Sequence, residues 1–481
     1  MNSSLSLSAA ELARQIRSGA RSSVSVVDAH IERVRALNGP INAVVATCYD
    51  LAREEARAAD LLVSRAKPDD TLPPLLGVPF TVKEFIAATG MPNTGGLRAH
   101  AERRGEKDAT VVRRLKEAGA ILLGVTNASE GGFWMESNNP IYGRTQNPWN
   151  LRHTAGGSSG GEGATQAFGG SAFGLGSDIG GSVRIPAAFN GVFGHKPTGG
   201  LVPLTGHHPG ASERGPVLCI GPLGRSAEDL HVVLKVIAGP DGEDHSCLDY
   251  PLGDPSLVRP EDVTVYTITR KGAARFRPSM RRAIDEAGAA LSAAGCKVVP
   301  IEVSGLRMGA ALWSARLMKM EGPGFAEILG GKSGKISVVK EILRFLFGGR
   351  RHSGPALLLT FLEEVGKLLP LPNGRLVKQL DELRIELETL MGTNAVLLHP
   401  PYTRPAPRHN VALSTPLDFA CTGVFNVLEF PATVVPTGFD GNGLPLSVQI
   451  IGGRGQDHLT IAVAGFLERA TGGWKRAELK S

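Results

Sequence analysis

Residues 156–186, GGSSGGEGATQAFGGSAFGLGSDIGGSVRIP, hold two serine-bearing glycine turns with a short apolar run between them. No other stretch constrains the fold as much. Glycine-rich turns adopt backbone conformations closed to other residues and let a second backbone come close. Between the turns, 173–176 reads as a short buried strand and 178–182 as a turn. A helix begins at 185–189, with Pro186 in its first turn, where the missing N–H costs nothing. Ser182 is therefore expected on a tight turn just ahead of a helix, with the backbone N–H groups of Ile179, Gly180, Gly181 and Ser182 converging. Such groups favour developing negative charge. Aimed at the oxygen of a tetrahedral intermediate they form an oxyanion hole, each donor being worth about 3–4 kcal/mol.

A serine hydroxyl needs a base to become a nucleophile at neutral pH. Lys83 stands alone as a lysine in an apolar strand-like run, GVPFTVKE. Its neighbours Val78, Pro79, Phe80 and Val82 supply a wall that would hold the amine neutral, because desolvation disfavours its charged form. Glu84 is expected on the opposite face of the strand. The first turn, with Ser158 and Ser159, offers hydroxyls for a proton relay. Each feature has a plainer competitor. Glycine turns with serine are usually only turns, and a lone strand lysine is often an edge lysine facing water. Asp178 suits a turn cap, and Arg184 suits an ion pair with it better than a substrate contact.

The whole stretch from Gly156 to Thr198 resembles the amidase signature family, whose hallmark is a serine–serine–lysine triad. The spacing also agrees: the serines stand 24 positions apart, and Lys83 precedes Ser158 by 75. By this resemblance Ser182 is the nucleophile, Ser158 the bridging serine after a cis peptide bond at Gly157, and Lys83 the general base. Ser159 matches a serine that supports the loop. The segments NNPIYGRTQNPWN (138–150), GGSSGGEG and GLPLSVQIIGG (443–453) are most similar to the fatty-acid amide hydrolases, in their second form. The resemblance covers about three quarters of the chain and fades between roughly 300 and 395. It implies an amidohydrolase for hydrophobic acyl or aryl amides, with esters or carbamates as further substrates. The amidase subunit of a tRNA-dependent amidotransferase is the alternative. Phe133, Trp134 and Met135 are candidate walls for an apolar acyl or aryl group.

With 481 residues, 42% of them hydrophobic, the chain can bury a large core, and no low-complexity linker divides 70 from 300. One large catalytic domain over 66–481 is expected, with helices of 1–65 packed against it. Alternating strands and helices imply an α/β fold with one large, twisted, mixed but mainly parallel sheet, covered by helices on both faces. Helices are expected at 26–37, 52–62 and 111–118, and a strand at 120–125. A βαβ unit is expected from strands 263–269 and 297–303 around a helix at 281–294.

The net charge of +6, from 52 basic and 46 acidic residues, is too mild and dispersed to argue for nucleic acid. Five scattered cysteines suggest reduced thiols. The twelve histidines show no closely spaced ligand pattern, so neither a metal nor a cofactor is expected. The first nineteen residues lack the apolar run of a signal peptide, and no run of 18 apolar residues occurs, so a cytoplasmic enzyme is expected. The expected partner is a small-molecule amide; monomer and homodimer both stay open. Within 334–372, an amphipathic basic stretch at 336–347 and a second apolar helix at 356–369 flank Gly348-Gly349-Arg350-Arg351. They suit a lid over the pocket, a core element or a peripheral membrane contact. Gly331-Lys332-Ser333 imitates the end of a nucleotide-binding loop, but Ala326 stands where that motif needs glycine. A nucleotide-binding protein is thus the non-hydrolase alternative.

Overall fold

The structure is a computed structural model that describes residues 3–67, 69–210, 215–268, 276–320, 322–368 and 373–479. Two expected element ends, Thr269 and Leu369, and the end of the 334–372 segment lie outside them.

Eleven strands form one sheet: β1 (Val44–Thr47), β2 (Pro79–Lys83), β3 (Ile121–Thr126), β4 (Phe173–Asp178), β5 (Phe193–Lys196), β6 (Cys219–Gly224), β7 (Thr264–Ile268), β8 (Lys297–Ile301), β9 (Ala395–His399), β10 (Ala432–Phe439) and β11 (Pro445–Ile451). Their order is β1-β3-β2-β4-β6-β5-β10-β11-β9-β7-β8. Every residue of β2, β3, β4 and β6 is buried, so both faces of the sheet are covered there. Fifteen α-helices are present among the described residues.

Parallel pairing follows the strand–helix alternation at the two flanks, in β3-β2-β4 and in β9-β7-β8. Across the centre the sheet is antiparallel. One cause is local: β10 and β11 are joined by Asp440-Gly-Asn-Gly-Leu444, where the Asp440 carboxylate accepts the N–H groups of Asn442 (2.8 Å) and Leu444 (2.9 Å). Such a turn closes a hairpin, which forces antiparallel neighbours.

The βαβ unit is present, with β7 and β8 parallel and the helix Pro278–Ala293 between them. Near the N-terminus, Ser8 caps the helix Ala9–Arg17 by accepting the Glu11 N–H at 3.1 Å. Its apolar face, Ala9, Leu12, Ala13 and Ile16, enters the same core cluster as Phe80 and Val82 of β2 and Phe173 of β4. Helices Ser23–Ile41, Tyr49–Arg65 and Thr110–Glu117 extend beyond or coincide with the expected spans. The segment 325–330 is helical, so no strand precedes Gly331-Lys332-Ser333. A phosphate-binding loop needs that strand, and the nucleotide reading loses its support.

Candidate active site

The C-terminal ends of β2 and β4, neighbours in parallel, bring Lys83 and Asp178 to one edge of the sheet. Crevices at the carboxyl ends of parallel strands are where open α/β sheets hold ligands. Lys83 lies in an interior strand, not an edge strand, and is 1% exposed. Its Nζ hydrogen-bonds Ser158 Oγ at 2.6 Å and Ser177 Oγ at 3.1 Å, and sits 4.3 Å from the centre of the Phe85 ring. Burial lowers the pKa of the amine to about 7, against the upward pull of Asp178 and Glu84. A buried lysine is thereby poised to exchange a proton near neutral pH. Glu84 bonds elsewhere: its carboxylate accepts the N–H groups of Thr94 and Gly95 and the Tyr142 hydroxyl.

The Gly157–Ser158 peptide bond is cis. A Cβ at Gly157 would lie 2.5 Å from the Trp134 carbonyl oxygen, so only glycine fits there. The Ser158 carbonyl accepts the Ser129 N–H (3.2 Å) and the Ser137 hydroxyl (3.0 Å). Ser159 ties the two glycine turns together. Its N–H donates to the Ser182 carbonyl at 3.2 Å, while its hydroxyl donates to the Ser177 carbonyl and accepts the Ser177 N–H, both at 3.3 Å.

Asp178 ends β4 and also caps the turn that follows, its carboxylate accepting the N–H groups of Gly181 (2.6 Å) and Val183 (3.1 Å). It shares two 3.0 Å contacts with the Arg184 guanidinium, and both side chains are fully buried. Burial pushes the carboxyl up, but Arg184, with help from Asn426, holds it well below the usual carboxylate range. Removing one member of such a pair would leave an unpaired buried charge, a loss of about 3–5 kcal/mol. The pair braces the turn and does not line the cavity.

In the turn expected to hold an oxyanion, the Gly181 N–H is already committed. The Gly181 N–H donates to Asp178 Oδ1 at 2.6 Å and is therefore not free for substrate. Gly181 is glycine for another reason: its φ is +128°, and a Cβ would come within 2.2 Å of Thr422 Oγ1. The N–H groups of Gly180 and Ser182 have no hydrogen-bond partner among the described residues. Their directions are fixed through the carbonyls of the same peptide units. The Ile179 carbonyl accepts the Trp313 indole N–H at 2.7 Å, which turns the Gly180 N–H away from Trp313. The Gly181 carbonyl accepts the Ile185 N–H at 2.7 Å, which turns the Ser182 N–H away from the helix Arg184–Asn190. Ile179, Gly180 and Ser182 line the cavity.

That cavity, about 140 Å³, is similar in size to apolar cavities of ~150 Å³ that hold a benzene ring. Phe133, Trp134 and Met135 line it with Ser158, Ser177 and Lys83. The rest of the wall has no signature in the sequence. It includes Phe85 and His207, and also Trp313, Phe325, Ile328, Leu359 and Phe419. Lys83 is the only Asp, Glu, Lys or Arg among the described lining residues. Leu359 belongs to the helix Gly354–Leu368, which follows the helix Val338–Leu346. The loop between them is fastened beside the site: the Glu130 carboxylate bonds His352 Nδ1 (2.7 Å) and accepts the Ser353 N–H (2.6 Å).

Trp313 both walls the cavity and holds the oxyanion turn. Trp313→Phe keeps an aromatic wall but loses the donor to Ile179. We expect kcat to fall about fivefold with little change in KM, the effect of one hydrogen bond of ~1 kcal/mol. Steady-state kinetics on a soluble aryl amide would read this; a change confined to KM would assign Trp313 to the wall alone.

Comparison with known proteins identifies a family for this chain. The family described as Amidase matches residues 25–461. The chain is 39% identical to human fatty-acid amide hydrolase 2 over 98% of its own length and 90% of the relative's. It is 33% identical to a glutamyl-tRNA(Gln) amidotransferase subunit of Deinococcus radiodurans, over 96% of both chains. A crystal structure of a bacterial aryl acylamidase of the amidase signature enzymes superposes with a TM-score of 0.78 at 28% identity, covering 97% of this chain and 96% of that one.

Proposed function

As a member of the amidase signature family the chain is an amide-hydrolysing enzyme, and we propose that it cleaves uncharged, hydrophobic acyl or aryl amides through an acyl-enzyme on Ser182. The observation that carries this reading is the cavity, which is lined by one neutralisable amine, by Ser158, Ser177 and Ser182, by the Gly180 and Ser182 backbone, and otherwise mostly by apolar side chains.

In the proposed cycle the neutral Lys83 amine accepts a proton from Ser158, which takes one from Ser182. The Ser182 Oγ bonds the amide carbon, and the carbonyl π electrons move onto oxygen, opposite the Gly180 and Ser182 N–H groups. When the C–N bond breaks, Ser158 returns a proton to the leaving nitrogen and is resupplied by the Lys83 ammonium. Without that proton the nitrogen would leave as an amide anion, a very poor leaving group. Water then attacks the ester, giving up its proton along the same relay, and the carboxylic acid is released from Ser182. Esters and carbamates suit the same chemistry, since a leaving oxygen needs less help.

The amidotransferase reading requires glutamine as the ammonia source. Its α-ammonium and α-carboxylate would meet no counter-charge among the described residues of this wall, and burying an unpaired charge costs several kcal/mol. A panel of aryl amides, long-chain acyl amides, the matching esters and carbamates, and glutamine tests the proposal on the purified chain. Hydrophobic amides are expected to exceed glutamine in kcat/KM by about 10³-fold or more; ammonia release from glutamine at a comparable rate would reverse the assignment.

A membrane contact is a second reading, favoured by the helical hairpin. Val339, Leu343, Leu346 and Phe347 are exposed, the last two at 71% and 87%, next to Arg350 and Arg351. The same panel can be run with anionic phosphatidylglycerol vesicles. Sedimentation with vesicles that Phe347→Ser weakens, with soluble-substrate turnover unchanged, supports the contact; no sedimentation of the unaltered chain leaves the hairpin as a lid only.

A further inference from the structure

Ser177 and His207 extend the hydrogen-bond chain of Lys83 beyond the two serines of the relay. His207 Nε2 is 2.9 Å from Ser177 Oγ, which is 3.1 Å from Lys83 Nζ. The imidazole is firmly mounted. On either side of it, the Ala87 N–H donates to the Gly206 carbonyl (3.0 Å) and the His208 N–H to the Phe85 carbonyl (2.7 Å). The Phe85 ring meets the His207 ring edge to face at 5.9 Å. Ser177, His207 and Phe85 all face the cavity.

A neutral lysine amine has two N–H bonds and one lone pair. To act as base, Lys83 must present the lone pair to the Ser158 hydroxyl hydrogen. Toward Ser177 it then donates an N–H, and Ser177 Oγ accepts. The Ser177 hydroxyl has one hydrogen of its own, which must go elsewhere. If that hydrogen rotated onto the amine it would occupy the lone pair and block proton transfer from Ser158.

We infer that His207 is a positioning residue of this enzyme: its unprotonated Nε2 accepts the Ser177 hydroxyl hydrogen and thereby keeps the Lys83 lone pair directed at Ser158. The ring carries its proton on Nδ1, the tautomer this network requires. After proton transfer the ammonium has three N–H groups, and three neighbours receive them: Ser158 Oγ, Ser177 Oγ and the face of Phe85. The polarity of the chain is therefore compatible with both ends of the transfer. The inference rests on Lys83 being the base.

A double-mutant cycle with a soluble aryl amide tests it. His207→Leu is expected to lower kcat about tenfold, within the range of a misdirected base, with KM changed less than about threefold. His207→Gln supplies an amide oxygen as acceptor and is expected to restore most of that loss. In the Ser177→Ala background no hydroxyl competes for the lone pair, so adding His207→Leu is expected to change kcat by less than about twofold. Equal losses in both backgrounds would overturn the inference and leave His207 as pocket wall. His207→Gln no better than His207→Leu would overturn it as well. Failure of the underlying relay is visible separately, as near-normal turnover in Lys83→Ala, and would remove this inference with it.

Discussion

Exchange of Ser182 for alanine is expected to reduce amide turnover by on the order of 10⁵–10⁶-fold, the loss typical of deleting a catalytic serine. The side chain stands at the start of a helix, lines the cavity, and shares its turn with two unpaired N–H donors. No other hydroxyl among the described residues is placed to replace it. The hydroxyls of Ser158 and Ser177 are both hydrogen-bonded to the Lys83 amine. The exchange leaves the wall and the Asp178–Arg184 brace untouched, so substrate should still bind and Tm should shift little. Mass spectrometry after treatment with an organophosphate gives a direct reading. The unaltered chain should gain one adduct on the peptide containing Ser182, and Ser182→Ala should gain none. Turnover surviving in the variant, or an adduct on Ser158, would reassign the nucleophile.

Lys83→Met should separate activity from stability, moving them in opposite directions. Methionine fills nearly the same volume without an amine, so kcat is expected to fall about 10²–10⁴-fold, the usual contribution of a general base. Stability should rise. The buried amine has a pKa of about 7, against 10.5 ordinarily. Between those values the unfolded chain binds the proton and the folded chain does not, so stability falls as pH drops: the penalty is absent above about 10.5, grows through the window, and is largest below about 7. Methionine removes that penalty. The gain is at most about 4 kcal/mol near pH 7, reduced by the two hydrogen bonds lost, and vanishes above about pH 10.5. Urea unfolding at pH 7 and pH 10 would measure it. In the unaltered enzyme kcat should drop about tenfold per unit below pH 7 as Lys83 takes up its proton. A flat profile from pH 5 to pH 8 would sink the neutral-amine relay.

The catalytic third of the chain is readable because its constraints are local. A glycine turn, a strand end and a helix start lie within a few residues of one another, and their chemistry follows from spacing. Ser177 is accessible to the same reasoning, by laying 173–178 beside 79–83 and following the alternation of side chains. His207 gives no such signal. It reaches the site because a loop about 120 positions along the chain is stitched to Phe85 and Ala87 by backbone hydrogen bonds, and a loop carries no periodicity. The Gly181 N–H escapes sequence reasoning because a sequence shows that a turn has donors but not which of them its own carboxylate will claim. Parallel pairing at the flanks comes out of the strand–helix alternation, whereas the antiparallel centre depends on the short Asp440–Leu444 turn between two buried strands.

The indole N–H bond from Trp313 to Ile179 has a consequence for how such enzymes diversify. The proposed nucleophile, base and bridging hydroxyl all come from 79–182, while five residues of the cavity wall, Trp313, Leu317, Phe325, Ile328 and Leu359, come from 309–368. Chain segments that choose the ligand can therefore drift while those that perform the reaction stay fixed. Trp313 is a stitch between the two. A hybrid that borrows its wall from another amidase would inherit a new preference, but it would keep its speed only if the borrowed piece still brings a donor to that one carbonyl.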